Sequence, residues 1–283
     1  MLSMAELNRE KLNQLQQILP EGLLVTAAWL RKHGYASNLI AYYAAHGWLE
    51  SPARGVYRRL GAALKWQHVV ASLQNLLDLP VHVGGLTALD VQGKSHFLRL
   101  GGTQTVHVYS HAPLPSWLSR LPFADKFVVH RERLFSEAES TGVAAPAHGA
   151  RDASPSRTPP GIGLTQLNWG AYDWPLTYST LERAYLELLD DIVAPDSIAH
   201  ANLILQGLTT LSPRRLKTLL AACRSIKVKR LFFALSERHN HQWLSELDSK
   251  DFDLGKGKRQ LAPGGKLHPK YQITLPIDLD DSA

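Results

Sequence analysis

Two short helical runs, each closed by a glycine and followed at once by a β-prone hairpin, constrain the fold of this chain more than any other stretch. Thr26 is a good N-cap, because its hydroxyl accepts from a backbone N–H one turn on. It opens residues 27–33 (AAWLRKH), and Gly34 supplies the positive φ that ends the run. After residues 34–36, Ser37 is expected to cap a second run, residues 38–46 (NLIAYYAAH), which Gly47 stops. Two capped helices joined by a short Gly-containing turn are the signature of a helix-turn-helix. Residues 48–51 and 56–59 then read as strands around a loop at residues 51–55 (SPARG), which makes a wing. An upstream helix from Met4 to Ile18 carries Leu7, Leu12, Leu15 and Ile18, with Leu19 just beyond, to pack against Trp29, Leu30, Leu39, Ile40 and Tyr43. A winged helix-turn-helix over residues 1–62, able to close by itself, is the expectation.

A unit of this kind presents the N-terminal turn of its second helix to a DNA groove. Ser37, Asn38 and Tyr42 are the residues expected to face bases, and Arg31, Lys32, Arg54, Arg58 and Arg59 those expected to hold phosphates. Residues 1–62 contain seven Lys or Arg and four Glu, a net of +3, so the phosphate-binding charge is modest. The same unit also serves as a protein-interaction module, and the residues alone leave that open.

The rest of the chain divides by composition and period. Residues 63–139 alternate helical and strand-like runs and read as a small α/β module, with strands expected near residues 80–85, 96–100, 105–110 and 126–131. Residues 140–163 are rich in Ala, Ser, Pro and Gly without an apolar period, and read as a linker or long surface loop. Residues 164–283 read as a mainly helical C-terminal domain closed by a β-hairpin around Gly264 and Gly265. The fold class is therefore α+β. Between Ser197 and Ser236 there is no acidic residue and there are seven basic ones, Arg214, Arg215, Lys217, Arg224, Lys227, Lys229 and Arg230. Such a run makes a basic face for DNA or an acidic partner protein, or the solvated side of ordinary helices.

Composition narrows the function classes. A formal charge of +6 favours a polyanionic partner. The single cysteine, Cys223, excludes an internal disulfide. No apolar run approaches the about 18 residues of a membrane span, so a cytoplasmic protein is expected. The phosphate-loop, zinc-protease, nucleophile-elbow and dinucleotide fingerprints are all missing. His82, His96, His107, His111 and His130 fall in or beside strands without acidic companions at ligand spacing. No metal site and no cofactor are expected. Glu182, Glu187, Asp190 and Asp191 lie on one amphipathic helix and are expected to form a solvated face. Their alternative is a nuclease, a nucleic-acid-processing enzyme that uses the winged helix for targeting.

Several segments, taken in order, resemble one family. Residues 46–49 (HGWL), 54–59 (RGVYRR), 87–90 (TALD), 114–118 (LPSWL), 178–189 (YSTLERAYLELL), 227–232 (KVKRLF) and 263–276 (PGGKLHPKYQITLP) together resemble the AbiEi antitoxins of bacterial type IV toxin-antitoxin and abortive-infection (phage-defence) systems. The resemblance implies a non-enzymatic transcriptional repressor whose winged helix binds inverted repeats in its own promoter. It also implies a C-terminal domain that neutralises a nucleotidyltransferase toxin, in the usual scheme without a stable complex. Carried onto this chain, it assigns the Ser37, Asn38 and Tyr42 surface to bases and the basic C-terminal run to DNA or the toxin.

Overall fold

The computed structural model describes residues 4–61, 63–94, 103–136 and 161–279, with the side chains of residues 4–9 and 278 left out. The strand expected at 96–100 and nearly all of the 140–163 segment lie outside the described residues, as does the Leu7 side chain. Among the described residues no helix is long and apolar enough to cross a membrane.

The chain begins with α1 (Met4–Ile18), β1 (Leu24–Thr26), α2 (Ala27–Lys32), α3 (Ser37–Ala45), β2 (Leu49–Ala53) and β3 (Val56–Arg59). Thr26 caps α2 as expected, its Oγ1 accepting from Trp29 N at 3.1 Å. Ser37 does not cap α3: it is the first helical residue, and the cap position falls on Ala36, whose methyl group offers no hydrogen-bond acceptor. A strand that the sequence reading lacked, β1, pairs antiparallel with β3 and completes a three-stranded sheet ordered β1-β3-β2. The expected loop also shrinks. Ser51, Pro52 and Ala53 belong to β2, and Arg54 and Gly55 alone make the turn, with Gly55 at φ 75°. Pro52 is tolerated because β2 is an edge strand whose register shifts between Glu50 and Ala53.

This unit shares its core with the segments that follow. Its buried residues Leu15, Leu19, Leu24, Leu30, Ile40 and Tyr43 form one hydrophobic cluster with Trp66, Val69 and Val70 of α4 (Trp66–Ala71) and with the central sheet. Ser72, in the π turn that continues α4, pins the junction. Its hydroxyl accepts from Leu24 N at 2.7 Å and donates to His68 O at 2.6 Å.

The central sheet has five strands ordered β6-β5-β4-β8-β7. They are β4 (Val81–Val83), β5 (Thr105–Ser110), β6 (Lys126–Arg131), β7 (Leu164–Trp169) and β8 (Trp174–Ser179). The hairpin β7–β8 was expected to be part of a helical domain. Instead β8 lies parallel to β4, so the sheet joins segments on both sides of residues 137–160. Alternation along the strands gives the sheet two unlike faces. Val81, Val83, Val106, Val108, Leu176 and Tyr178 point into the cluster shared with the N-terminal unit. His82, His107, Tyr109, His130 and Ser179 lie on the other face.

Onto that second face pack α5 (Gly85–Val91) and α6 (Leu181–Asp190), backed by α7 (Pro195–Gln206), α8 (Pro213–Ala222) and α9 (Ile226–Ser236) around a second core. Ser212 and Pro213 open α8 as expected, with Ser212 Oγ accepting from Arg215 N. The chain closes with β9 (Lys266–Leu267) and β10 (Thr274–Leu275). The Gly264–Gly265 pair does not form their turn: it precedes β9, and the reversal is made at residues 268–273 with Gln272 at φ 50°. Leu176→Ala empties a fully buried site between the sheet and the N-terminal unit. It is expected to lower unfolding free energy by about 2–5 kcal/mol in urea titrations.

Candidate functional site

The N-terminal surface comes first. Ser37, Asn38 and Tyr42 are exposed on one side of α3, with Tyr42 46% accessible, while Ile40 and Tyr43 are buried on the other. Arg31 and Lys32, in the last turn of α2, and Arg54, in the β2–β3 turn, are exposed as well. Two of the expected phosphate contacts are committed elsewhere. Arg58 is 7% exposed and forms an ion pair with Glu50 at 2.7 Å, across the β2–β3 ladder. Arg59 donates to the carbonyls of Gln16 and Leu19 at 3.2 Å, tying β3 to the end of α1. Strand alternation puts one of two adjacent residues inward, so counting both as surface charge was the error. The sequence reading missed His46 and Trp48. His46 is exposed and stacks on Tyr42 with ring centroids 4.0 Å apart, and Trp48 is 47% accessible.

The basic C-terminal run does not form one face. Arg214, Lys217 and Arg224 are exposed, and Arg215 is paired with Glu182 at 2.8 Å. Lys229 and Arg230 are buried at 5% and 3% exposure. The Arg230 guanidinium donates to the carbonyls of Leu254 and Gly257 at 2.6 Å, anchoring the otherwise irregular segment after α9. Lys227 donates to the carbonyls of Asp190 and Ile192 at 2.5 and 3.3 Å, capping the end of α6. A run of basic residues on two consecutive helices winds around them, so some positions must face the core.

The largest correction concerns α6. Glu182 and Glu187 are not on a solvated face: they are 2% and 0% exposed, because α6 is covered on nearly all sides by the sheet and by α5 and α7–α9. Glu187 accepts from His82 Nε2 at 2.9 Å, Gly85 N at 3.0 Å, Ser179 Oγ at 2.7 Å and Arg183 Nε at 2.8 Å. Arg183, itself fully buried, also donates to Glu132 at 2.5 Å and to the Ile162 carbonyl at 2.7 Å, and lies over the Phe135 ring. Ile162 and Gly163, assigned from sequence to the linker, are therefore part of the packed structure. Burial by itself pushes the Glu187 carboxyl up, but His82 and then Arg183 hold it down, at about 2. Gly84 makes the approach possible, since a Cβ there would lie 2.2 Å from Glu187 Oε2.

A second polar group adjoins this one. His107 Nδ1 and His130 Nε2 are 2.9 Å apart, and His130 Nδ1 lies 2.9 Å from Asp191 Oδ1. Tyr109 donates to Asp191 Oδ2 at 2.5 Å, and its ring stacks between His82 and His130. Burial, with the Glu187 and Asp191 charges adding to it, keeps the Tyr109 hydroxyl protonated well above its usual range. His82 and His130 thus do have acidic companions, Glu187 and Asp191, which come from α6 and its end rather than from neighbouring positions in sequence.

This is a mixed α+β protein with an exposed helix face on α3 and a buried ionic centre around Glu187. The description "Transcriptional regulator, AbiEi antitoxin, Type IV TA system" matches residues 103–276, and "Transcriptional regulator, AbiEi antitoxin N-terminal domain" matches residues 8–100. The chain belongs to the AbiEi antitoxin family of type IV toxin-antitoxin transcriptional regulators. No curated protein matches it. The fold is similar to that in the crystal structure of the RV2827C protein from Mycobacterium tuberculosis, with a TM-score of 0.56 and 16% identity over 96% of this chain and 93% of that one.

Glu187→Ala removes one partner from a buried charge network and is expected to cost about 3–5 kcal/mol in chemical denaturation. The pH dependence has a definite sign. The folded carboxyl titrates below its unfolded value, so its contribution is complete above the ordinary carboxylate value of 4.5 and is lost as pH falls towards about 2. Glu187→Gln should flatten the stability profile of the wild type in that window, as measured by thermal melts between these limits.

Proposed function

We propose that the N-terminal unit is a winged helix-turn-helix that binds duplex DNA, with α3 as recognition helix and the β2–β3 hairpin as wing. The observation that carries the reading is the exposed side of α3. Ser37, Asn38 and Tyr42 stand there together, and Arg31 and Lys32 at the end of the preceding helix and Arg54 in the hairpin turn are exposed too. Hydrogen-bonding groups at the start of a helix, with exposed cations in the same unit, suit a major groove bounded by phosphates. Three such cations give little non-specific affinity. Specific binding then requires paired half-sites, which fits repression of the chain's own operon through inverted repeats.

The antitoxin role completes the reading. The cognate toxin is a nucleotidyltransferase encoded alongside, countered through the part of the chain that follows the N-terminal unit; of the seven basic residues between Ser197 and Ser236, Arg214, Lys217 and Arg224 are exposed and offered to it or to DNA. The protein acts in the cytoplasm as a regulator and not as an enzyme. The nuclease alternative loses its candidate residue, because Glu187 has each oxygen bonded to neighbouring groups in a closed interior.

Electrophoretic shifts on the native promoter test the DNA reading. Asn38→Ala and Tyr42→Ala should reduce preference for the operator over unrelated DNA, by about 1–3 kcal/mol for a lost base contact. Arg54→Ala should weaken both alike and lower the salt slope by about 1. Arg58→Ala, by contrast, should act through stability and leave the salt slope unchanged. Equal binding by wild type and the Asn38→Ala/Tyr42→Ala pair would overturn the assignment of α3. Co-expression with the adjacent toxin gene tests antitoxicity, and failure to restore growth refutes it.

A further inference from the structure

Two clusters on the polar face of the sheet bring three ligating side chains within 4.8 Å of one another, His82 with Glu132 and Glu187, and His107 with His130 and Asp191. They differ in what already fills them. The first is closed, with side-chain exposures of 6%, 1% and 0%, and the Arg183 guanidinium bonds to both of its carboxylates. A fixed cation occupies the place a metal would take. In the second, His130 and Asp191 side chains are 17% and 27% exposed, so the group opens to solvent, and among the described residues no Lys or Arg is paired with its carboxylate.

The geometry of the second cluster is that of a ligand set held ready. His107 and Tyr109 project from the same face of β5, and β6 runs parallel with His130 opposite Tyr109. The register puts the two imidazoles on one face, nearly parallel at 15° with ring centroids 5.1 Å apart. Their facing nitrogens, His107 Nδ1 and His130 Nε2, are 2.9 Å apart, within hydrogen-bond distance. The opposite nitrogen of His130 is bonded to Asp191, whose other oxygen accepts from Tyr109. A carboxylate behind a histidine, fixing its tautomer and raising its basicity, is the usual support for a metal-bound imidazole.

We propose that His107 and His130 bind one divalent transition-metal ion of the zinc class, with Asp191 supporting His130 from behind and water completing the coordination. The ion takes the place of the hydrogen bond between the two rings. With metal–nitrogen bonds of about 2.0–2.1 Å in tetrahedral geometry, the facing nitrogens need to separate to about 3.3 Å, a small opening of two rings on neighbouring strands. Imidazole nitrogens favour zinc, cobalt or nickel over magnesium or calcium. The bound ion braces β5 to β6, and the His130–Asp191 contact carries that brace to the end of α6. The proposal does not depend on DNA binding or on the identity of the toxin.

The test uses the full chain stripped with chelator. Equilibrium dialysis against zinc, and cobalt titration followed by visible absorption, should each saturate at one equivalent, with an increase in thermal stability. Affinity should fall as pH is lowered, since both imidazoles must give up their protons to ligate. His107→Gln and His130→Gln should abolish the saturable site, while Asp191→Asn weakens it by about 10–100-fold. His33→Gln, in the N-terminal unit, serves as a control that retains it. Melts of each variant without metal separate loss of ligand from loss of fold. An absent cobalt spectrum in the wild type, or one equivalent bound by the His107→Gln/His130→Gln variant, would overturn the proposal.

Discussion

A carboxylate with no access to water, Glu187, sits where the sheet meets its helical layer, and much of the middle of this molecule is arranged to make that tolerable. Burying an unpaired charge is prohibitive, so the cost is offset only if charges and donors converge on it. They come from four elements: His82 from β4, Gly85 from the start of α5, Ser179 from the end of β8, and Arg183 from α6 itself. Arg183 in turn reaches Glu132, beyond β6, and the carbonyl of Ile162 before β7. No single residue of the group is satisfied without the others. The network therefore specifies one docking of helix on sheet, where an apolar contact would tolerate sliding.

The opposite face of the same sheet works by different physics. Val81, Val83, Val106, Val108 and Leu176 bury apolar surface against α4 and the N-terminal unit, giving a contact driven by area rather than by pairing. The sheet is thus a partition, joined to the N-terminal unit by hydrophobic packing and to the C-terminal helices by a directed ionic lattice. For a regulator in the AbiEi family, this places the exposed α3 face and the helical C-terminal layer on opposite sides of one shared support. The single hydroxyl of Ser72, bonded to both Leu24 and His68, shows how closely the first of these joints is made.

Where the sequence reading succeeded, the signal was local. Thr26, Gly34 and Gly47, and the Ser212–Pro213 pair, set helix ends through bonds within one turn, and the structure has them there. Where it failed, the deciding contact lay far along the chain. The hairpin β7–β8 reads poorly as strand because Gln166, Asn168 and Pro175 interrupt its pattern, and pairing with β4 is what incorporates it. Glu182 and Glu187 look solvated on α6 because acids at that spacing usually are. Their partners stand 30 and 105 residues away at Ser212 and His82. A hint was present: Arg183 shares the helix face of Glu187 one turn earlier, and Gly84–Gly85 ends a strand where bulk was excluded.

The sequence by itself determined the family, the α+β class, the helix boundaries around Thr26 and Gly47, and the exposed residues at the start of α3, because each follows from short-range periodicity and capping or from ordered segments along the chain. Only the tertiary structure decided which charges are free. It drew Arg58, Arg59, Lys229 and Arg230 into ion pairs, carbonyl contacts or the interior, and it turned isolated histidines into neighbours of Glu187 and Asp191. The physical reason is that a charge's environment is set by which strands and helices are adjacent in space, and that adjacency is fixed by the packing of the two sheet faces rather than by any property of the residues nearby in sequence.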